Sequence, residues 1–139
     1  METGKAIVSY QDLDVYKNTY TASIRVFREI LPKLPQSEKY DLRDQLSRSC
    51  KAIPRLIAEG YAKKHQKQGF QKYLYDALAE CNETVVSLSQ CSDIYGIECM
   101  ELIKAYDIAG RQLYNLSKAW SKTKSNPILT SNPNDKTNL

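Results

Sequence analysis

The chain has 139 residues, with 20 Lys+Arg against 16 Asp+Glu and a net charge of +4, the size of one ordinary domain built on one core. Charged residues at 26% and hydrophobics at 42% exclude a wholly disordered chain, and 5 Gly with 5 Pro argue against a many-turned β-sandwich or barrel. A surplus of +4 permits an acidic partner such as RNA without requiring one.

Four segments carry a helical period. The first runs from about Leu13 to Leu31, with an apolar stripe at Leu13, Tyr16, Tyr20, Ser23/Ile24, Phe27 and Ile30/Leu31 that steps by three and four. Asp12 is its expected N-cap, and Pro32 and Pro35 close it. The second runs from about Glu38 to Tyr61, capped by Ser37, with Glu38 suited to the positive end of the helix dipole. Its stripe is Leu42, Leu46, Ser49/Cys50, Ile53 and Ile57. Pro54 lies inside this stripe and removes one backbone hydrogen bond, yet the phase holds on both sides of it. One kinked helix is therefore expected rather than two, with Gly60 beginning the exit.

The third segment, about Gln68 to Asp93, places Phe70, Leu74, Ala77/Leu78, Cys81, Val85, Leu88 and Cys91 on one face, and Gly96 is a good stop. The fourth, about Glu98 to Thr123, has Leu102/Ile103, Tyr106, Ala109/Gly110, Leu113, Leu116/Ser117 and Trp120. Short connections between long helices force antiparallel neighbours. The expected fold is all-α, an antiparallel up-down-up-down four-helix bundle with a proline kink in helix 2. Residues 1–11 form an N-terminal extension, 12–123 the bundle, and 124–139 a flexible C-terminal tail marked by Asn126-Pro127 and Asn132-Pro133.

Little in the chain suggests enzyme chemistry. Cys50, Cys81, Cys91 and Cys99 form no Cys-x-x-Cys pair and read as small core residues. His65, the single histidine, sits in a Lys-rich stretch and reads as a solvated loop residue. No Walker loop, dinucleotide fingerprint or Gly-x-Ser-x-Gly elbow occurs. Asp76, Glu80 and Glu83 make an acidic stripe, but without a histidine it reads as a pairing surface rather than a metal site. No signal peptide or membrane span is visible, so a cytoplasmic, non-enzymatic protein without cofactor or metal is expected.

The charge is uneven. From Arg43 to Lys72 there are eight basic residues and two acidic ones, a surplus of six, so the rest of the chain sums to −2. Arg48, Lys51 and Arg55 step by three and four along the face of the second helix away from its apolar stripe, and Lys63, Lys64 and Lys67 continue the basic region into the following loop. Two readings stand side by side: a phosphate-binding surface, or a solvated face paired with acidic neighbours. Ten tyrosines add to this. Tyr16, Tyr20 and Tyr106 fall on core stripes, whereas Tyr61, Tyr73 and Tyr75 lie beside the basic region, where aromatics stack on unpaired bases or form protein interfaces.

Several motifs occur in order along the chain. They are Tyr10-Gln11-Asp12-Leu13-Asp14-Val15-Tyr16-Lys17, then Glu38 to Ser49 with its Gln45-Leu46-x-Arg48, then Ile53-Pro54-Arg55-Leu56-Ile57-Ala58-Glu59-Gly60, then Phe70 to Leu74 and Ala79 to Thr84. This series resembles the bacterial four helix bundle protein family, also called the rRNA intervening-sequence protein family, to which accessory variability proteins of diversity-generating retroelements are related. Leu56 departs from the family pattern, which usually has Asn there. The resemblance implies a four-helix bundle assembled as a ring-like homopentamer with no known catalytic site. For the retroelement branch it implies nucleic-acid binding and partnership with a reverse transcriptase. The expected function is thus a homo-oligomeric bundle that binds RNA or other nucleic acid through Arg48, Lys51, Arg55, Lys63, Lys64 and Lys67. The alternative is a protein-interaction scaffold with no direct nucleic-acid binding.

Overall fold

Ser9 forms a capping box ahead of the first helix. Its hydroxyl accepts from the Gln11 N–H at 3.2 Å, while the Asp12 carboxylate accepts from the Val8 and Ser9 N–H groups at 2.9 and 3.0 Å. This locks a 3-10 turn over Tyr10–Asp12 ahead of the first helix. Asp12 therefore faces backward as the partner of Ser9, and the expected role as N-cap of the first helix passes to Leu13, which contributes no side-chain cap.

The computed structural model describes residues 6–125, and all regular structure among them is helical. The four long helices are α1 (Asp14–Arg25), α2 (Leu42–Ala62), α3 (Gly69–Tyr95) and α4 (Met100–Ser125). A π-helical turn, Val26–Ile30, prolongs α1, and 3-10 turns at Leu31–Lys33 and Gln36–Glu38 lead to α2. The residues assigned to the C-terminal tail lie outside the described region from 126 onward.

α2 starts at Leu42 rather than Glu38, and Ser37 does not cap it. Glu38 performs that role from a distance: its Oε1 accepts from the Leu42 N–H at 3.1 Å, placing a carboxylate at the positive end of the helix. Pro54 lies inside α2 without dividing it. Gly60 lies in the last turn of α2, where its carbonyl accepts from the Lys63 N–H at the helix end. A Cβ there would come within 2.5 Å of Tyr73 Cβ, so the missing side chain lets α2 and α3 approach closely. Gly96 does stop α3, in the left-handed conformation at φ 69°.

The contacts fix the helix directions. Ser49 meets Thr84, Gly60 meets Tyr73, and the Tyr95 hydroxyl donates to Glu38. Positions descend along α2 as they rise along α3, so the pair is antiparallel. Phe70 against Trp120 and Leu78 beside Gly110 set α3 against α4 in the same sense. Arg25 bridges to Glu101 at 3.0 Å, tying the end of α1 to the start of α4.

The core follows the expected stripes on three helices. Leu46, Cys50, Ile53 and Ile57 of α2, Phe70, Leu74, Cys81, Leu88 and Cys91 of α3, and Leu102, Tyr106, Ala109 and Leu113 of α4 are all buried. Helix α1 differs. Of its expected stripe Leu13, Ser23, Ile30 and Leu31 are buried, but Tyr20, Ile24 and Phe27 are exposed at 51%, 37% and 39%, and Val15, Thr19, Ala22 and Val26 complete the buried face. Both sets step by three and four. The smaller residues face inward, and Thr19 and Ser23 return their hydroxyls to their own helix, at 2.8 Å to the Val15 carbonyl and 2.7 Å to that of Tyr20. Buried, they leave no polar group unpaired.

Candidate nucleic-acid interface

The exposed face of α2 carries Arg48, Lys51 and Arg55, opposite the buried Leu46/Cys50/Ile53/Ile57 stripe. The three have different surroundings. Arg48 Nε bonds Asp44 Oδ2 at 3.1 Å, one turn back in the same helix, and its charge also reaches Glu80 on α3. Lys51 leans toward α1, with its Nζ 5.5 Å from the centre of the Phe27 ring. Arg55 makes no ion pair among the described residues.

The inward rotation of α1 gives this face its second component. Tyr20, Ile24 and Phe27 stand beside Lys51 and Arg55, and a groove of about 320 Å³ runs between α1 and α2. Tyr16 forms part of its wall. Tyr10, fixed by the Ser9–Asp12 capping box, abuts Tyr16 edge-on with ring centres 4.9 Å apart, and Tyr16 lies 5.9 Å from Tyr20. Burial, then Tyr10 and Tyr20, push the Tyr16 hydroxyl above the usual tyrosine range, so it remains a neutral phenol at neutral pH. Sequence patterning assigned Tyr20 and Phe27 to the core. The signal that identifies the true core is the parallel Val15/Thr19/Ala22/Val26/Ile30 series, whose small and hydroxyl-bearing members score poorly as hydrophobes.

The other three predicted cations sit at the far end of α2 and in the turn to α3. Lys63 Nζ is 2.7 Å from the Tyr73 hydroxyl and 3.7 Å from Glu59 Oε2. Tyr73 first, then Glu59, hold its ammonium above the ordinary lysine value. Lys64 lies over the Tyr61 ring at 4.3 Å and faces a cavity of about 630 Å³ walled by Leu13, Val15, Leu116 and Trp120. Lys67 and His65 are exposed in the turn. That turn is tight. Gln68 takes φ 57°, and a Cβ on Gly69 would come within 2.3 Å of the Lys63 carbonyl oxygen. The six cations thus form two groups: Arg48, Lys51 and Arg55 along the α2 face, and Lys63, Lys64 and Lys67 around the turn.

The acidic stripe lies on α3. Asp76 Oδ2 accepts from Lys72 at 3.1 Å. Glu80 has its carboxyl raised, first by burial and then by Glu83, while Arg48 opposes the shift. Among the described residues, no group of three His, Cys, Asp or Glu is placed to hold a metal ion. Nor is any helix there long and apolar enough to cross a membrane. All four thiols are buried and free. Burial pushes those of Cys50, Cys81 and Cys91 up to about 12, which makes them poor nucleophiles.

Comparison with known proteins agrees with this architecture. No curated protein matches the chain. A family model described as 23S rRNA-intervening sequence protein matches residues 11–115, from the turn beside Tyr10 to just past the middle of α4. That span contains the capping-box carboxylate, the whole of α2 and α3, and every one of the six candidate cations. The chain belongs to the 23S rRNA-intervening sequence protein family.

Proposed function

We propose that this protein is a non-enzymatic, homo-oligomeric bundle that binds RNA or other nucleic acid through the α2 face and the α2–α3 turn. One observation carries the reading: Arg55 is exposed beside Lys51 and the open Tyr20 ring, with no ion pair among the described residues. A guanidinium on a rigid helix with no carboxylate partner is prepared for a phosphate oxygen. The family name points to an rRNA context. Phosphate contacts of this kind position a protein on nucleic acid without specifying sequence.

The assembly is proposed to be a homopentamer, in which a modest stripe repeated around a ring becomes a concentrated basic surface. Exposed Val86 on α3 and Ile108 and Tyr114 on α4 support self-association, since they leave apolar area uncovered. In a cytoplasmic setting, a reverse transcriptase would be a fitting partner for such a ring. The second reading, a scaffold for other proteins, draws on the same exposed apolar residues.

Mobility-shift titrations with RNA and DNA at two salt concentrations test binding, with light scattering to count subunits. The reading expects affinity that falls steeply as salt rises. Absence of any complex at ~50 mM salt rejects it. Partners that stay bound to the purified protein after nuclease treatment favour the scaffold.

A further inference from the structure

We infer that the α1–α2 groove seats an unpaired base, so that the nucleic acid recognised on this face is single-stranded. This deepens the proposed nucleic-acid reading and rests on it. The groove measures about 320 Å³ and is lined by Tyr16, Tyr20, Ile24 and Pro54, with Lys51 and Arg55 at its rim. That volume lies at the small end for ligand pockets and suits one planar group rather than a run of several.

The chemistry of the lining selects the ligand. No acidic residue lines the groove, and its two charged members are both cations. The ligand is therefore anionic at the rim. Below the rim the walls are aromatic and aliphatic, so the ligand is also apolar and flat where it enters. Tyr20 presents its ring at 51% exposure, and Tyr16 is braced edge-on by Tyr10 with ring centres 4.9 Å apart. Ser23, which also lines the groove, has its hydroxyl committed to the Tyr20 carbonyl at 2.7 Å and offers no competing polar demand.

A duplex would use only half of this arrangement. Its bases are stacked on one another, and it shows a protein surface mainly phosphates and groove edges, which Lys51 and Arg55 could meet but Tyr20 could not. A single strand supplies both parts: a base face for the tyrosine and flanking phosphates for the cations. Stacking on an aromatic is tolerant of base identity, since every base has a π-face. The groove accordingly favours single strands over duplexes without choosing a sequence.

The test uses fluorescence anisotropy with the full chain and three labelled probes of equal length: a single-stranded RNA, the same strand with abasic sugars, and the corresponding duplex. The expected order of affinity is native single strand first, with abasic strand and duplex both weaker. Tyr20→Ala is expected to weaken native single-strand binding on the order of 5- to 150-fold while leaving the abasic strand unchanged. Tyr20→Phe, which keeps the ring, is expected to retain the native affinity. Because Tyr20 is half exposed, the Ala variant should melt with the parent, and its melting curve accompanies the titration. Equal affinity for all three probes, or a Tyr20→Ala variant that binds the native strand like the parent, overturns the base seat and leaves the phosphate-binding reading standing. Failure of all three probes to bind at ~50 mM salt overturns both.

Discussion

Ser49 and Thr84 share a hydrogen bond of 2.8 Å where α2 crosses α3, and both are sealed from solvent. Each hydroxyl also has a partner in its own helix. Thr84 Oγ1 donates to the Glu80 carbonyl at 2.8 Å, which makes Ser49 the donor to Thr84, with the Leu46 carbonyl a weaker acceptor at 3.4 Å. Removing one side therefore strands no donor. Ser49→Ala is expected to cost about 1 kcal/mol of stability, the net worth of an ordinary buried hydrogen bond. A double-mutant cycle with Thr84→Val, read by urea unfolding, measures the coupling. A cycle that closes to zero would show that the cross-helix bond contributes nothing.

Two glycines in helices should respond oppositely to alanine. At Gly60 the new Cβ meets Tyr73 Cβ at 2.5 Å, an atom fixed to the backbone of α3, so the helices must separate. The expected loss is roughly 1–3 kcal/mol, outweighing the helix-propensity gain of about 1 kcal/mol. At Gly110 the new Cβ meets only Leu78 Cδ1 at 3.3 Å, the far end of a flexible side chain. Gly110→Ala is expected to be neutral or to stabilise by up to about 1 kcal/mol. Thermal melts of the two variants check the contrast in sign.

The buried thiols make stability depend on alkaline pH. Cys50, Cys81 and Cys91 have thiols pushed up to about 12 by burial, against about 9 when free. Between these values the native chain holds protons that the unfolded chain has released. The native state binds more protons there, so stability falls as pH rises from about 9 toward 12 and is unaffected by these groups below that window. Denaturant midpoints at pH 8 and pH 10.5 test this, with a Cys81→Ala/Cys91→Ala variant expected to show a shallower decline. A thiol reagent at pH 8 should react with all four cysteines in denaturant and only slowly with the native protein.

Glu38 caps α2 without belonging to it. Its Oε1 holds the Leu42 N–H at 3.1 Å, and its second oxygen takes the Tyr95 hydroxyl. Glu38→Ala should lower stability by about 1 kcal/mol, as loss of a cap does. Tyr95→Phe keeps the cap and should cost less. Hydrogen exchange at the first turn of α2 distinguishes the two, rising in Glu38→Ala and unchanged in Tyr95→Phe.

The cations of the proposed interface should rank by how much of their charge is already engaged. Arg55→Gln is expected to weaken nucleic-acid binding more than Arg48→Gln, because Arg48 shares its charge with Asp44 at 3.1 Å. Each lost phosphate contact should reduce the slope of log affinity against log salt by roughly one. Lys63→Gln should have a smaller effect than Lys67→Gln, since Lys63 is held by Tyr73 and Glu59 and Lys67 is exposed. An unchanged salt slope in Arg55→Gln would remove that residue from the interface.

Much of the architecture was legible in residue order. The stripes of α2, α3 and α4 combine large aliphatic and aromatic residues at helical spacing, and Gly96 marks a stop that only a left-handed residue fits. The basic stripe was legible for the same reason, since Arg48, Lys51 and Arg55 occupy the phase opposite Leu46 and Ile53. Helix α1 was harder. It carries two stripes at helical spacing, and the one with the larger residues, Tyr20, Ile24 and Phe27, is the one that faces out. Local pattern ranks residues by their own hydrophobicity, whereas burial depends on which set fits between α2 and α4. Gly60 was half legible: it lies in the last turn of α2, as its neighbours suggest, but its packing role is set by Tyr73 on another helix.

By itself, then, the sequence determined that the chain is helical, where three of its four core faces lie, and that its positive charge concentrates between Arg43 and Lys72. Those properties depend on period and composition, which are local. Tertiary structure alone decided the rotation of α1, the closeness of α2 to α3 at Gly60, and the meeting of Tyr20 with Lys51 and Arg55 across a groove. Each of these depends on how side chains from different helices share one space, and no single segment contains that information.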